Sequence, residues 1–213
     1  MKRRAMLVVP VLLGVMLLVT AAHGVQITWL ASSTDPVLDS AGAPLLGASA
    51  FGTPDLSNGS LVQLWQAVGE IDDPAPLMQR CGTPCVDPNW SIDDVLLDQS
   101  HVGYGTFISD GGTWSAKADY ALGIGAIAYV RAYNMSLPEI EGLGGACPVG
   151  LEIGIRDSTG GIPSLVIEGV AGQPIPPHKL YADGLRTEPC VPEPAALLFL
   201  APGLAIWALR RKK

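Results

Sequence analysis

Read for hydrophobic alternation, the middle of this 213-residue chain is a series of short extended runs separated by turn residues. Val25-Gln26-Ile27-Thr28-Trp29-Leu30 sets Val25, Ile27 and Trp29 against Gln26 and Thr28, the period-2 signature of a half-buried strand. Thr113 to Tyr120 repeats it, with Trp114, Ala116, Ala118 and Tyr120 opposing Ser115, Lys117 and Asp119. Ile92 to Leu97, Tyr104 to Ile108, Leu151 to Arg156 and Ser164 to Val170 predict further strands. Ala126 to Tyr133 is apolar on both faces apart from Arg131, as expected of a central strand between two packed layers. Ser60 to Gly69 fits both a helical stripe (Leu61, Leu64, Trp65, Val68) and a strand, and its neighbours favour the strand. Ala31 to Ser60, with Asn58-Gly59 as a turn, and Glu70 to Ser91, with three prolines, read as irregular connections, and the stretch after Val170 as a Pro-rich strap. No long amphipathic helix interrupts the series, so the expected fold is all-β, an antiparallel β-sandwich over residues 25–189.

The two ends have a different pattern. Met1-Lys2-Arg3-Arg4 precedes an apolar run from Ala5 to Val19, the charged start and oily middle of a secretory signal peptide over residues 1–24. Cleavage fits after Ala22 or after Gly24; the second makes Val25 the mature N-terminus, and an uncleaved anchor is the alternative. Residues 190–213 hold Pro192-Glu193-Pro194, then fifteen uncharged residues from Ala195 to Leu209, then Arg210, Arg211, Lys212 and Lys213. At 1.5 Å per residue the span covers about 22 Å as a helix, short of the roughly 30 Å hydrocarbon layer. The four cations would snorkel and stay cytoplasmic, which places everything before Pro194 outside. Pro194 starts no helical ladder and disfavours helix at Glu193, so an extended, protease-accessible tripeptide is expected beside the membrane.

Charge and cysteine usage agree with export. The formal net charge is −7, but seven of the thirteen Lys and Arg lie in the two ends, against one of the twenty acids, Glu193. The 168 residues from Val25 to Pro192 therefore carry six cations and nineteen acids, a formal charge of −13. Such a surface repels phosphate backbones and disfavours nucleic acid as a partner. Cys81, Cys85, Cys147 and Cys190 all fall in this segment, an even number suited to disulfides outside the cytoplasm. Three connectivities are open. Cys81 with Cys85 and Cys147 with Cys190 is the favoured one, the second bond being worth about 3 to 4 kcal/mol in the chain-entropy view. Cys-x3-Cys without a nearby His pair is a poor zinc signature, so no metal is expected there.

The chain lacks a Gly-x-Ser-x-Gly elbow, a His-Glu-x-x-His helix motif and a phosphate-cradling glycine loop, and between the ends only His101 and His178 remain. No catalytic residue and no cofactor is assigned. Asp72-Asp73 and Asp93-Asp94 are acidic doublets able to share a calcium ion, against the plainer reading of solvated loops. Trp65, Trp90, Trp114 and Tyr133 are candidate sugar-stacking rings, with Trp114 already expected in the core by its alternation. Arg131 in an apolar strand suggests an anion site, a buried ion pair or a snorkelling edge residue.

Pro192-Glu193-Pro194, the apolar span and the basic end together resemble the PEP-CTERM sorting signal of Gram-negative bacteria, which the membrane protease-transpeptidase exosortase processes. The resemblance covers the tail alone, and Ala195-Ala196 stands where that signal often has Ser or Thr, leaving the cleavage position open. Leu61-Val62-Gln63-Leu64, Asp93-Asp94-Val95-Leu96-Leu97, Gly112-Thr113-Trp114 and Tyr129-Val130-Arg131-Ala132-Tyr133-Asn134 are similar in general look to cargo domains of such proteins, which have no settled activity. The resemblance implies Pro192, Glu193 and Pro194 as the recognition motif and Arg210 to Lys213 as the membrane stop. It further implies exosortase and, transiently through residues 195–209, the inner membrane as partners. The destination it implies is the cell surface or an exopolysaccharide matrix, with no catalytic activity of the chain's own. A glycan-binding β-sandwich module is the alternative reading; a tail-anchored polysaccharide-active enzyme, which needs two converging carboxylates, stands behind it.

Overall fold

The computed structural model describes residues 24–72, 87–106, 111–143 and 150–190. The expected signal peptide (up to residue 23), the tail from Val191 onward, Asp73, Cys81, Cys85 and Cys147 lie outside the described residues. What is described is all-β with one helical turn and a half, in two sheets. The strands are β1 (Val25–Ala31), β2 (Leu61–Ala67), β3 (Val95–His101), β4 (Trp114–Tyr120), β5 (Ile127–Tyr133), β6 (Glu152–Asp157), β7 (Ser164–Val166), β8 (His178–Tyr181) and β9 (Leu185–Pro189). Helix α1 spans Leu137–Gly142.

A three-stranded sheet runs β4-β1-β8 and a six-stranded sheet β3-β2-β5-β6-β9, with β7 sharing one edge of β5 with β6. β6 takes Ala132 and Tyr133 at the end of β5, and β7 takes Ile127 to Tyr129 at its start. The pairings are antiparallel except β1 with β8, which is parallel and departs from the expected arrangement. The alternation read in the sequence decides what faces inward. Val25, Ile27, Trp29, Trp114 and Ala116 of the small sheet meet Val62, Leu64, Ala128, Val130 and Ala132 of the large one in one core cluster. Trp29 and Trp114 pack edge to face, 6.1 Å between ring centres, and the Trp29 indole donates to the Tyr120 hydroxyl (3.2 Å), which donates to Asp98 (2.7 Å). This relay crosses from the small sheet to the edge strand of the large one. The Ala31 to Ser60 connection is irregular as expected, yet it supplies Val37 and Leu45 to the core.

Several boundaries differ from the sequence reading. The run at Ile92 to Leu97 becomes a strand only at Val95 and continues to His101, through the polar Asp98, Gln99 and Ser100 at which the hydrophobic pattern had ended. Of the strand expected over Tyr104 to Ile108, the described part, Tyr104 to Thr106, forms a single bridge, Ala50 with Tyr104, and Phe107 and Ile108 lie outside the described residues. Gly103 and Gly105 hold φ of 93° and 67° there, and a Cβ on Gly105 would lie 2.1 Å from the Ser115 carbonyl oxygen, so the chain turns and cannot extend. The strap is in fact two strands, β8 and β9, joined by a turn at Asp183-Gly184 that puts Leu180, Ala182, Leu185 and Thr187 inside. Ser164 to Val170 is extended for only three residues, although Ile167 still donates to Ala126 (2.8 Å). Helix α1 was not foreseen: Ser136 N–H and Oγ both reach the Glu139 carboxylate (2.8 and 2.7 Å) and Pro138 presets the first turn. Burying Ile140 against Tyr133, Leu151 and Ile153 holds it in place.

Candidate functional site

The polar residues singled out in the sequence meet on the outer face of the six-stranded sheet. Alternation sends Val62, Leu64, Val130 and Ala132 into the core, so Gln63 and Trp65 of β2 and Tyr129, Arg131 and Tyr133 of β5 must point the other way. They do not reach water: all five are 1% exposed or less. The end of the Glu70 to Ser91 excursion, Pro88 to Trp90, lies over them and is tied down atom by atom. Tyr133 donates to the Pro88 carbonyl (3.0 Å), Arg131 to the Trp90 carbonyl (2.7 Å), and Gln63 Nε2 to Asn89 Oδ1 (3.2 Å). The central strand is thus covered on both faces as expected, the second cover being a loop and not a sheet.

Arg131 is the centre of this arrangement. Its guanidinium carbon sits 4.3 Å from the centre of the Trp65 ring, a cation–π contact strengthened by desolvation. One amino group donates to the Tyr129 hydroxyl (3.3 Å), and that hydroxyl donates to Asp94 Oδ2 (2.9 Å). Among the described residues no carboxylate pairs directly with Arg131, which is buried and does not snorkel; the Tyr129 hydroxyl bridges it to Asp94. Burial raises the Tyr129 pKa far above the ordinary phenol range, Arg131 opposing and Asp94 reinforcing the shift, so the hydroxyl stays a neutral donor.

Asp94 and Asp72 act as clamps on backbone. Asp94 accepts from Val68 N–H and Asp72 N–H (both 2.8 Å) besides Tyr129, and Asp72 accepts from Ile92 N–H (2.6 Å) and Asp93 N–H (3.2 Å). This is why the strand starts after Asp94. Of the two acidic doublets, Asp72, Asp93 and Asp94 converge, each placing an oxygen within 4.8 Å of the others with Asp93 exposed, while Asp73 lies outside the described residues. Calcium takes six to eight oxygens, whereas the two buried carboxylates already accept five protein donors. Among the described residues the set acts as loop clamps beside a buried cation, with Asp72 and Asp94 engaged by backbone amides.

Other sequence candidates separate. Trp65, Trp114 and Tyr133 are buried to 1% or less, which removes them as sugar platforms; Trp90 is half-buried. His101 is fully buried at the end of β3, edge-on to Tyr104 (5.7 Å between ring centres), with neither ring nitrogen in a hydrogen bond. Burial lowers its pKa, while the Ala48 backbone and Asp55 pull it back part of the way. His178, on β8, lies 3.1 Å from the Glu168 carbonyl and far along the chain from His101. Cys190 is buried, is not a free thiol, and hydrogen-bonds to Leu151 through its backbone. The cysteine pairings, like the sorting motif, fall outside the described residues.

One arrangement escaped the sequence reading. On the outer face of the three-stranded sheet Thr28 of β1 is in register with Lys117 of β4 on one side and Lys179 of β8 on the other. The next row holds Leu30 between Ser115 and Tyr181. Lys117 was placed on a polar strand face by its alternation, but with β8 read as a strap the row had no third member. No protein-family model, curated protein or solved structure matches this chain.

Proposed function

We propose that the chain is an exported β-sandwich protein of a Gram-negative cell, sorted through a PEP-CTERM signal and working at the surface or in the extracellular matrix without chemistry of its own. The observation that carries this is the tripartite tail: Pro192-Glu193-Pro194, an uncharged span to Leu209 and four cations, starting two residues beyond Cys190, whose N–H donates to the Leu151 carbonyl. Export agrees with the charged, apolar start of the chain and with four cysteines in the segment between. In this reading exosortase recognises the tripeptide, the span from Ala195 to Leu209 stalls in the inner membrane, and Arg210 to Lys213 hold the end on the cytoplasmic side. The use of the internal polar groups supports a non-catalytic role: Asp72, Asp94, Tyr129 and Arg131 hold loops to a sheet, their hydrogen bonds directed at backbone and at each other, with Arg131 Nε alone among the buried side-chain atoms of these four left without one.

Intact-mass measurement on protein recovered from the native cell envelope tests the reading. The expected species begins at Val25 and lacks the span ending at Leu209 and the basic end. Mature material that still contains Trp207 and Lys213 would overturn it in favour of a plain tail anchor.

A further inference from the structure

We propose that the outer face of the three-stranded sheet is a docking surface for an acidic polysaccharide, a sugar chain bearing repeated carboxylates. The face is broad, regular and open, unlike its counterpart on the large sheet. Lys117 and Lys179 are both exposed and flank the Thr28 hydroxyl. Ladder geometry separates the two lysine positions by two strand spacings, about 9.5 Å. Among the described residues neither lysine meets a carboxylate in an ion pair; Asp119, the acid on this face, faces Gln26 Nε2 at 3.4 Å.

Charge complementarity selects the partner. The segment from Val25 to Pro192 holds six cations against nineteen acids, and most of its surface repels a polyanion. Of those six, Arg131 is sealed beneath the loop and Arg156 is turned to the Gly160 carbonyl (2.7 Å), whereas two of the outward ones stand in a single row on this sheet. Beside them Leu30 and Tyr181, the latter 51% exposed, offer an apolar strip and an aromatic ring on which a pyranose face can rest. A chain with carboxylates at intervals would place one against each ammonium and a sugar ring against Tyr181. A bilayer surface fits less well, since binding anionic lipid takes clusters of roughly four to eight cations. This inference rests on the reading that the domain is delivered outside the cell, and names its partner there.

The test uses the full-length chain beside its Lys117→Gln/Lys179→Gln double variant, so that the four cations of the tail are common to both. Probes are polygalacturonate, neutral dextran, and vesicles containing phosphatidylglycerol. The wild-type chain should bind polygalacturonate, release it as salt is raised, and ignore dextran. The double variant should bind about tenfold more weakly or worse at an unchanged melting temperature, and each single variant should fall between. Tyr181→Ala should weaken binding further while Tyr181→Phe keeps it. Equal binding by the double variant, no binding by the wild type, or a lysine dependence confined to the vesicles would each overturn the proposal. None of these outcomes depends on tail processing, which the envelope mass measurement reads separately.

Discussion

The two sheets turn unlike faces outward. On the large sheet Trp65, Tyr129, Arg131 and Tyr133 carry a cation and three polar aromatic tips, yet a loop closes over them and every one is 1% exposed or less. On the small sheet Lys117, Asp119, Lys179 and Tyr181 are exposed, with no cover among the described residues. Under the loop each polar group needs a protein partner, because an unsatisfied buried donor or acceptor costs about 1 to 3 kcal/mol and a charge more. On the open face water satisfies the same chemical types at no such cost. Polar residues on the first face are therefore committed to stability, and those on the second are free to serve recognition.

The comparison breaks most directly at Asp94. Replacing it with Ala removes the acceptor of two backbone amides and of Tyr129, and strands Arg131 without the anion its phenol relay reaches. A loss of about 3 to 5 kcal/mol is expected in urea unfolding, with faster amide exchange at Val68 and Asp72. A loss under about 1 kcal/mol would show that the covered face behaves like an open one. Arg131→Met keeps much of the side-chain volume while removing the buried charge, at the expense of the bond to Trp90. It should cost less, about 1 to 3 kcal/mol. Combined with Asp94→Ala it should cost clearly less than the two losses added, since both belong to one network. Strict additivity of the double variant would mean the relay through Tyr129 carries no coupling.

His101 sharpens the comparison, being a buried polar side chain with no hydrogen bond at either ring nitrogen among the described residues. Its folded-state pKa lies below the unfolded value, so the unfolded chain takes up its proton first as pH falls. Stability should be level above the unfolded value of about 6.5 and should decline as pH drops through it toward the folded pKa. His101→Leu should flatten that part of the profile. Melting temperatures of the two chains between pH 7.5 and 5 check this; an identical acid slope in both would assign the effect to other groups.

How much of this was open to a reader of the sequence follows from which residues carry local information. Trp114 to Tyr120 and Val25 to Ala31 are half-buried strands, and their alternation announced both the element and its inner face. β8 and β9 gave no such announcement. They are four and five residues long, follow a run of prolines, and acquire their burial only by pairing with β1 and β6, which lie far away in sequence. The same distance hid the Lys117, Thr28, Lys179 row, whose members come from three strands. The acidic doublets were noticed, but whether their oxygens were free for a metal or taken by Val68, Asp72, Ile92 and Asp93 amides depends on loop geometry that residue types alone do not specify.

The smallest effect on stability is expected at that row, and the smallness is informative. Lys117 and Lys179 are exposed side chains without ion pairs among the described residues, so converting both to Gln should change stability by less than about 0.5 kcal/mol. For a domain of this size that is within about 2 °C in melting temperature. Removing two like charges in register across Thr28 should if anything raise it slightly, because cross-strand repulsion is relieved. A substantial drop would show that the lysines hold the small sheet together, and the open face would then belong with the covered one as scaffold. Stability retained alongside lost polygalacturonate binding would separate the two faces by what each residue type is there to do.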